Sequence, residues 1–246
     1  WYWLDKASLL PALTLAPKDG HTVLDMCAAP GGKSLVLAMQ LFANITTTEE
    51  REMGDIRLTC NEKSSQRRAN LQRVIFKYLP ENVRDHVYVT NRDASRWIQG
   101  NTYDRVLVDV PCSSERHLVS ESWRRREAID KATWSPARCK RYASSQYALL
   151  KSAFTVTKPG GLIAYSTCSL SSVENEKVAQ RLLKKFGDCI KVIDDCGELS
   201  EADLLSMGAE KRNPGWILLP DRAGCGPIYW VTLMKTRCPP DSPLSD

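Results

Sequence analysis

With 246 residues, 43% of them hydrophobic, and a formal net charge of +5, the chain is long enough to bury one sizeable core. Its longest uninterrupted apolar runs are a handful of residues, far short of the roughly 20 that cross a bilayer, so no membrane partner is expected. Nine cysteines spread without a C-x-x-C pair form neither a disulfide framework nor a recognisable zinc site, which implies a reducing compartment and no metal. Trp1 rather than Met opens the sequence and residues 1–6 lack the composition of a signal or transit peptide, so any targeting sequence is expected to lie outside it.

Asp5-Lys6-Ala7-Ser8 leads into an apolar stretch, as a short helix capped by Asp5 would. Residues 21–26 read as a first strand and 32–42 as the helix after a tight turn; 56–60 is a second strand, and a helix over 65–78 ends at Pro80. Strands follow at 86–90, 103–110 and 162–166, the last launched by the turn Lys158-Pro159-Gly160-Gly161. Between the last two, 141–155 has helical periodicity, with Tyr142, Gln146, Leu149, Leu150 and Phe154 on one side. A helix over 173–186 and late strands at 216–219 and 228–233 complete the order, and Cys238-Pro239-Pro240 opens a polar tail. The alternation predicts an α/β, doubly wound, mostly parallel sheet, with one domain over 1–235 and a flexible tail over 236–246. No period of 20 to 50 residues repeats, which argues against a solenoid.

Cys112 and Cys168 each sit just past a hydrophobic run, Val106-Leu107-Val108-Asp109-Val110-Pro111-Cys112 and Leu162-Ile163-Ala164-Tyr165-Ser166-Thr167-Cys168. If these strands are parallel neighbours, both thiols face one crevice, at the end of the sheet where open α/β folds bind ligands. A free cysteine is more often a small core side chain. Here the company is polar: Asp109 precedes Cys112, Ser113 and Ser114 follow it, and Ser166, Thr167 and Ser169 surround Cys168. Such residues fill a core poorly, so the pattern points to cysteine chemistry.

The turn Leu24-Asp25-Met26-Cys27-Ala28-Ala29-Pro30-Gly31-Gly32-Lys33-Ser34 puts small residues where a strand becomes a helix, so a ligand can approach the backbone and the helix amides. Three ligands suit such a place. A mononucleotide loop would need glycine at position 27, which is Cys; the dinucleotide pattern G-x-G-x-x-G is absent. The third is S-adenosylmethionine, which has no pyrophosphate to cradle. Glu62, after the second strand, is then placed for ribose hydroxyls, and Asp93, after the third, for the adenine amino group.

Between Ser114 and Arg141 eight basic residues (Arg116, Arg124, Arg125, Arg126, Lys131, Arg138, Lys140, Arg141) face four acidic ones, and Trp123 and Trp134 lie among them. That mixture suits a phosphate backbone and unstacked bases, and equally suits a solvated surface loop.

Three of these segments, Asp25-Met26-Cys27-Ala28-Ala29-Pro30-Gly31-Gly32-Lys33, Asp109-Val110-Pro111-Cys112 and Ser166-Thr167-Cys168-Ser169-Leu170, resemble, in order, the motifs of the Sun-domain RNA cytosine-5 methyltransferases. Asp5-Lys6-Ala7-Ser8 and Gly226-Pro227-Ile228-Tyr229 agree as well, so the likeness covers nearly the whole chain. It implies a Rossmann-like methyltransferase fold. It also implies Cys168 as the nucleophile that adds to carbon 6 of cytosine, making carbon 5 nucleophilic. Asp109 would bond the base edge, Cys112 would help remove the carbon 5 proton, and Lys33 would favour the thiolate. Cofactor binding would fall to Cys27, Ala28, Ala29, Pro30, Gly31, Gly32 and Lys33, with Glu62, Arg67, Asp93 and Asp109 near the methionine or adenosyl parts; at Glu62 aspartate is commoner in the family.

Glu115-Arg116-His117 and the Gly-Pro-x-Tyr ending look most like the mitochondrial members acting on ribosomal RNA, and next like those acting on transfer RNA. The resemblance therefore implies a mitochondrial matrix location, with nucleus or cytosol as the alternative, and a ribosomal assembly intermediate as substrate. The additional RNA-binding domain of many relatives is expected to be absent here. By the family's analogy, RNA affinity would then come from a helical-repeat partner of the mitochondrial termination-factor family. The competing readings are an assembly factor that acts by occupying RNA and, more distantly, a P-loop nucleotide enzyme.

Overall fold

The structure, a computed structural model, describes residues 2–43, 56–115, 121–122, 124–126, 135–194 and 199–237. Among them nine strands form one sheet: β1 Thr22–Asp25, β2 Arg57–Asn61, β3 Val87–Thr90, β4 Tyr103–Asp109, β5 Thr157–Thr167, β6 Ile190–Ile193, β7 Ala209–Lys211, β8 Trp216–Leu218 and β9 Ile228–Lys235. The order is β3-β2-β1-β4-β5-β9-β8-β7, with β6 also paired to β9. The first five are parallel, and β9 enters antiparallel to β5. Because the chain winds from β1 out to β3 and then returns to β4 on the other side of β1, the crevice at their carboxyl ends is a topological switch point.

Four longer helices cover the sheet: α1 Gly32–Leu41, α2 Ser65–Tyr78, α3 Pro136–Val156 and α4 Glu176–Phe186. Successive strand residues point to opposite faces, and β4 is apolar toward both. Val106 and Val108 pack with Tyr147, Leu150 and Phe154 of α3 and Val178 and Leu182 of α4, while Leu107 joins Leu37 and Leu41 of α1 and Leu71 and Ile75 of α2 on the other face. The continuous hydrophobic run before Cys112 is thus that of a parallel strand buried on both sides.

Elements bounded by local chemistry fall where expected. Helix α2 spans Ser65–Tyr78, with the Ser64 side chain accepting from the Arg67 amide, and Asp5 caps the one-turn 3-10 helix Lys6–Leu9. Others differ. The expected turn at Lys158-Pro159-Gly160-Gly161 lies inside β5, because Thr157 already pairs with Tyr103 and Leu162 with Arg105; the extra residues bulge out, with Gly160 at φ +79°. Helix α3 begins earlier, at Pro136 after the Ser135 cap, where proline's missing N–H costs nothing. Helix α4 begins later, at Glu176, since Glu174 and Asn175 turn inward. Strands β6 and β7 were not expected. Arg116, His117, Trp123, Lys131, Trp134 and the tail 238–246 lie outside the described residues.

Candidate active site

The turn between β1 and α1 is held from three sides. The strand ends open as the Met26 amide donates to Leu107 O at 2.9 Å and the Ala28 amide to Asn61 O at 2.8 Å. Gly31 has φ +118°, and a β-carbon there would stand 2.9 Å from Val74 Cγ1 of α2. From the same helix, Arg67 Nη2 donates to Ala29 O at 2.7 Å. Over α1, Gly32 leaves room for the N-terminal segment: an added β-carbon would lie 2.9 Å from Leu4 and 3.0 Å from Tyr2. The small residues of this turn therefore serve close packing as well as ligand access.

Tyr2, Asp5, Ser8, Asp25, Cys27, Ala28, Ala29, Pro30, Gly32, Lys33 and Asp109 line a cleft over this turn. It runs beside a second cleft, in which Ser8, Lys33 and Asp109 meet Cys168, Pro227 and Ile228. Lys33 stands between the two. Its Nζ donates to Asp109 Oδ2 at 2.8 Å and to Ser8 Oγ at 3.0 Å. Burial works against the ammonium charge, but Asp109, seconded by Asp25, outweighs it and raises the lysine pKa. Asp109 Oδ1 accepts from Ser166 Oγ at 2.7 Å, so the carboxylate is oriented from helix α1 and from strand β5 while its side chain keeps 30% exposure.

Beyond Asp109 and Ser166, which pair in register across β4 and β5, the chain carries two cysteines to one point. Cys112 Sγ and Cys168 Sγ lie 3.1 Å apart, with Ser114 Oγ 3.6 Å from the first and 3.8 Å from the second. The hydrogen bond from Cys112 brings Cys168 down to about 7, against burial and Asp109 and with help from Ser114 and Lys33. The same contact, together with burial, pushes Cys112 well up. Of the two sulfurs Cys168 is thus the one favoured as thiolate, with Cys112 as its donor.

The remaining predicted residues stand one and two strands away. Glu62, buried past β2, accepts from the Ser64 amide at 2.8 Å and pairs with Arg67 at 3.3 Å. Asp93, past β3, bonds Lys63 at 2.8 Å and Ser95 Oγ at 2.7 Å, which hold it down to about 2. Asn61 ties the three strand ends together, donating to Met26 O at 3.1 Å and Arg92 O at 3.0 Å while accepting from Thr90 Oγ1 and the Arg92 amide. Cys27 is half-buried beside Asp25 and lines the cleft, and desolvation with the neighbouring carboxyl groups raises its pKa, which disfavours a thiolate there.

A family model described as 16S rRNA methyltransferase RsmB/F matches residues 12–233. The chain belongs to this family. Bovine 5-cytosine rRNA methyltransferase NSUN4 is 37% identical over 96% of this RsmB/F chain, which covers 59% of that protein. The mouse mitochondrial tRNA (cytosine(34)-C(5))-methyltransferase is 31% identical over 96% of the chain and 64% of its own length. The chain thus spans about three-fifths of the curated relatives it matches. In fold it is similar to NSun6 from Pyrococcus horikoshii solved with SFG, at a TM-score of 0.71 and 22% identity, covering 96% of this chain and 53% of that one.

The residues of this RsmB/F cleft fit S-adenosylmethionine better than a nucleotide. Asp5, Asp25 and Asp109 all line it, and the one cation among its described lining residues, Lys33, is already paired; a lining this rich in carboxyl groups disfavours phosphates and suits an ammonium and a sulfonium. Asp25 is buried, with Ser34 Oγ donating to Oδ2 at 2.7 Å and no partner for Oδ1 among the described residues. That orphan acceptor suits a ligand donor. Asn61 and Glu174 gave no functional signal in the sequence, and Ser8, Ser114 and Pro227 entered only as members of longer motifs, because the groups they meet are remote along the chain.

Proposed function

We propose that this chain is the catalytic part of an S-adenosylmethionine-dependent RNA cytosine-5 methyltransferase. Its substrate is mitochondrial ribosomal RNA, with transfer RNA next. The observation that carries the reading is the apposition of the Cys168 and Cys112 sulfurs beside a carboxylate, Asp109, that is fixed by Lys33 and Ser166. Likeness to the mitochondrial and ribosomal enzymes supports the substrate and the compartment. A matrix location, action on an assembling ribosomal particle and a helical-repeat partner of the termination-factor family belong to the same proposal. Co-purification of such a partner with the full-length protein tests the last.

Carbon 5 of cytosine is too weak a nucleophile unaided. The Cys168 thiolate adds to carbon 6; the ring double bond opens, and the ring nitrogen that gains the electron pair takes a proton from solvent, to which it is returned when the double bond re-forms, and donates it meanwhile in a hydrogen bond to Asp109, leaving an enamine at carbon 5. S-adenosylmethionine, when held by residues 25–33 with Glu62 and Asp93 toward the adenosine, supplies the methyl group that carbon 5 takes. Lys33 holds the Asp109 carboxylate in place. With Cys168 engaged in a carbon–sulfur bond, the anion that raised Cys112 is gone. Cys112 can then lose its proton to solvent, take the one on carbon 5, and let the ring double bond re-form as Cys168 departs.

Transfer of labelled methyl to mitochondrial RNA tests this. Wild type should form 5-methylcytosine, Cys168→Ala should form none, and Cys112→Ala should accumulate a covalent RNA adduct. No transfer by wild type, even with mitochondrial extract, would make the RNA-occupying assembly factor the better reading.

A further inference from the structure

We propose that Glu174 is a positioning residue that holds the two cysteines face to face, by binding the serine that follows each of them. The inference rests on the two-cysteine reading above. Glu174 is fully buried, in the turn between β5 and α4, and touches neither cleft. Its Oε2 accepts from the Ser113 amide at 2.9 Å and from Gln146 Nε2 at 2.9 Å. Its Oε1 is met by the Ser169 hydroxyl at 3.3 Å and by the Ser113 hydroxyl, whose single hydrogen it shares with Glu115 Oε1, 2.5 Å from that hydroxyl oxygen. Ser113 follows Cys112 and Ser169 follows Cys168, and the two hydroxyls are 3.3 Å from one another.

The neighbours complete the tie. Gln146 Nε2 also donates to Pro111 O at 2.9 Å, just before Cys112. Asn175 Nδ2 donates to Ser169 O at 2.9 Å, and Asn175 Oδ1 accepts from Thr167 Oγ1 at 2.5 Å, so Cys168 is gripped on both sides. Tyr165 Oη donates to Glu174 O at 2.5 Å, fixing the carboxylate's own backbone to β5. Glu115 and Cys139 approach closely enough to suggest a metal cluster, with ligand atoms within 4.8 Å. Yet Glu174 already receives donors on both oxygens, which is how a buried carboxylate is satisfied without an ion. The two loops also meet where the Leu170 amide donates to Glu115 Oε2 at 3.3 Å, but Glu174 is the buried side chain that binds the residues adjoining both sulfurs.

The test is the pH dependence of Cys168 alkylation by iodoacetamide, read by peptide mass spectrometry, in wild type and Glu174→Gln. Glutamine keeps the shape but presents an amide to the serine donors. The groups facing Cys168, namely Cys112, Ser114, Asp109 and Lys33, stay in the chain, and the loss of a carboxylate could by itself only lower a nearby thiol pKa, so a rise reports their displacement. The apparent pKa should rise by about one unit as Cys112 moves away. On RNA, methyl transfer should fall about tenfold, with unchanged cofactor KM and with covalent adduct accumulating although both thiols are present. A Glu174→Gln protein with wild-type alkylation profile and no adduct overturns the proposal. If that variant does not fold, the Ser113→Ala, Ser169→Ala double variant decides by the same readouts. Failure of wild type to modify RNA would instead defeat the functional reading and leave the alkylation result standing.

Discussion

Cys112 Sγ stands 3.1 Å from Cys168 Sγ, closer than two neutral thiols need to be and consistent with one proton held between them. The register explains how they meet: Asp109 pairs with Ser166 across adjacent parallel strands, and each chain then runs a few residues past the sheet edge into the same crevice. At this distance a change in the protonation of one sulfur is felt by the other.

Replacing Cys112 by alanine should move the apparent pKa of Cys168 from about 7 toward the ordinary value near 8.5. At pH 7 the thiolate fraction then falls from about one half to about 3%. A more basic thiolate is also a better nucleophile, by roughly fivefold over that interval, so alkylation at pH 7 should slow only about threefold. At pH 9.5, where both proteins are largely ionised, the variant should react faster. Stopped-flow alkylation across pH 6 to 10 checks this, and a variant slower throughout would refute it.

Lys33→Met should destabilise the protein by about 1–3 kcal/mol, because it strands the Asp109 carboxylate. The effect falls below that for a fully buried pair, since Asp109 keeps 30% exposure and Ser166 still donates to it. Adding Asp109→Asn should recover most of the loss, although neither protein will be active. Urea unfolding of both single variants and the double variant gives the coupling; losses that simply add would show that the ion pair contributes nothing.

Legibility in the sequence followed the range of the forces. Helix α2 is bounded by a cap and a proline within a few residues of its ends, Ser64 and Pro80, and was readable. The run from Val106 to Val110 is apolar because helices cover both faces, and it announces itself. By contrast β6 and β7 have four and three residues, too few for a period to emerge. Cys112 and Cys168 could be matched because each ends a strong strand. Ser8 is 25 residues from Lys33, and Glu174 is 61 from Ser113; nothing local to either side chain signals its partner. For Glu62 and Asp93 the strand ends were legible, while their pairing with Arg67 and Lys63 was not.

Gly31→Ala should cost about 1–3 kcal/mol. The backbone sits at φ +118°, and the added methyl would stand 2.9 Å from Val74 Cγ1 and 3.1 Å from Leu71 Cδ1, so both strain and collision act. Relief by Val74→Ala should be partial, since it removes the collision and leaves the dihedral. Thermal melts of the two single variants and the double variant separate the terms; complete rescue would show that the backbone conformation carries no cost.

Asp25 gives the protein a stability that declines as pH rises. Burial raises its carboxyl from 3.8 to about 7 against the opposing bond from Ser34. Below about pH 4 the group is protonated in folded and unfolded chains alike, and the raised native pKa is fully favourable. Between about 4 and 7 the unfolded chain releases the proton while the folded chain keeps it, so unfolding gains up to about 1.4 kcal/mol per pH unit. Across the whole window the upper bound is roughly 4 kcal/mol, and above pH 7 the native carboxylate is charged and the loss is complete. Asp25→Asn removes the titration and still offers Ser34 an acceptor. The stability of the variant relative to wild type should therefore improve from pH 4 to pH 7 and then level off, as urea unfolding at intervals across that range will show. A constant difference between the two proteins over this window would mean that Asp25 is ionised in the folded chain throughout.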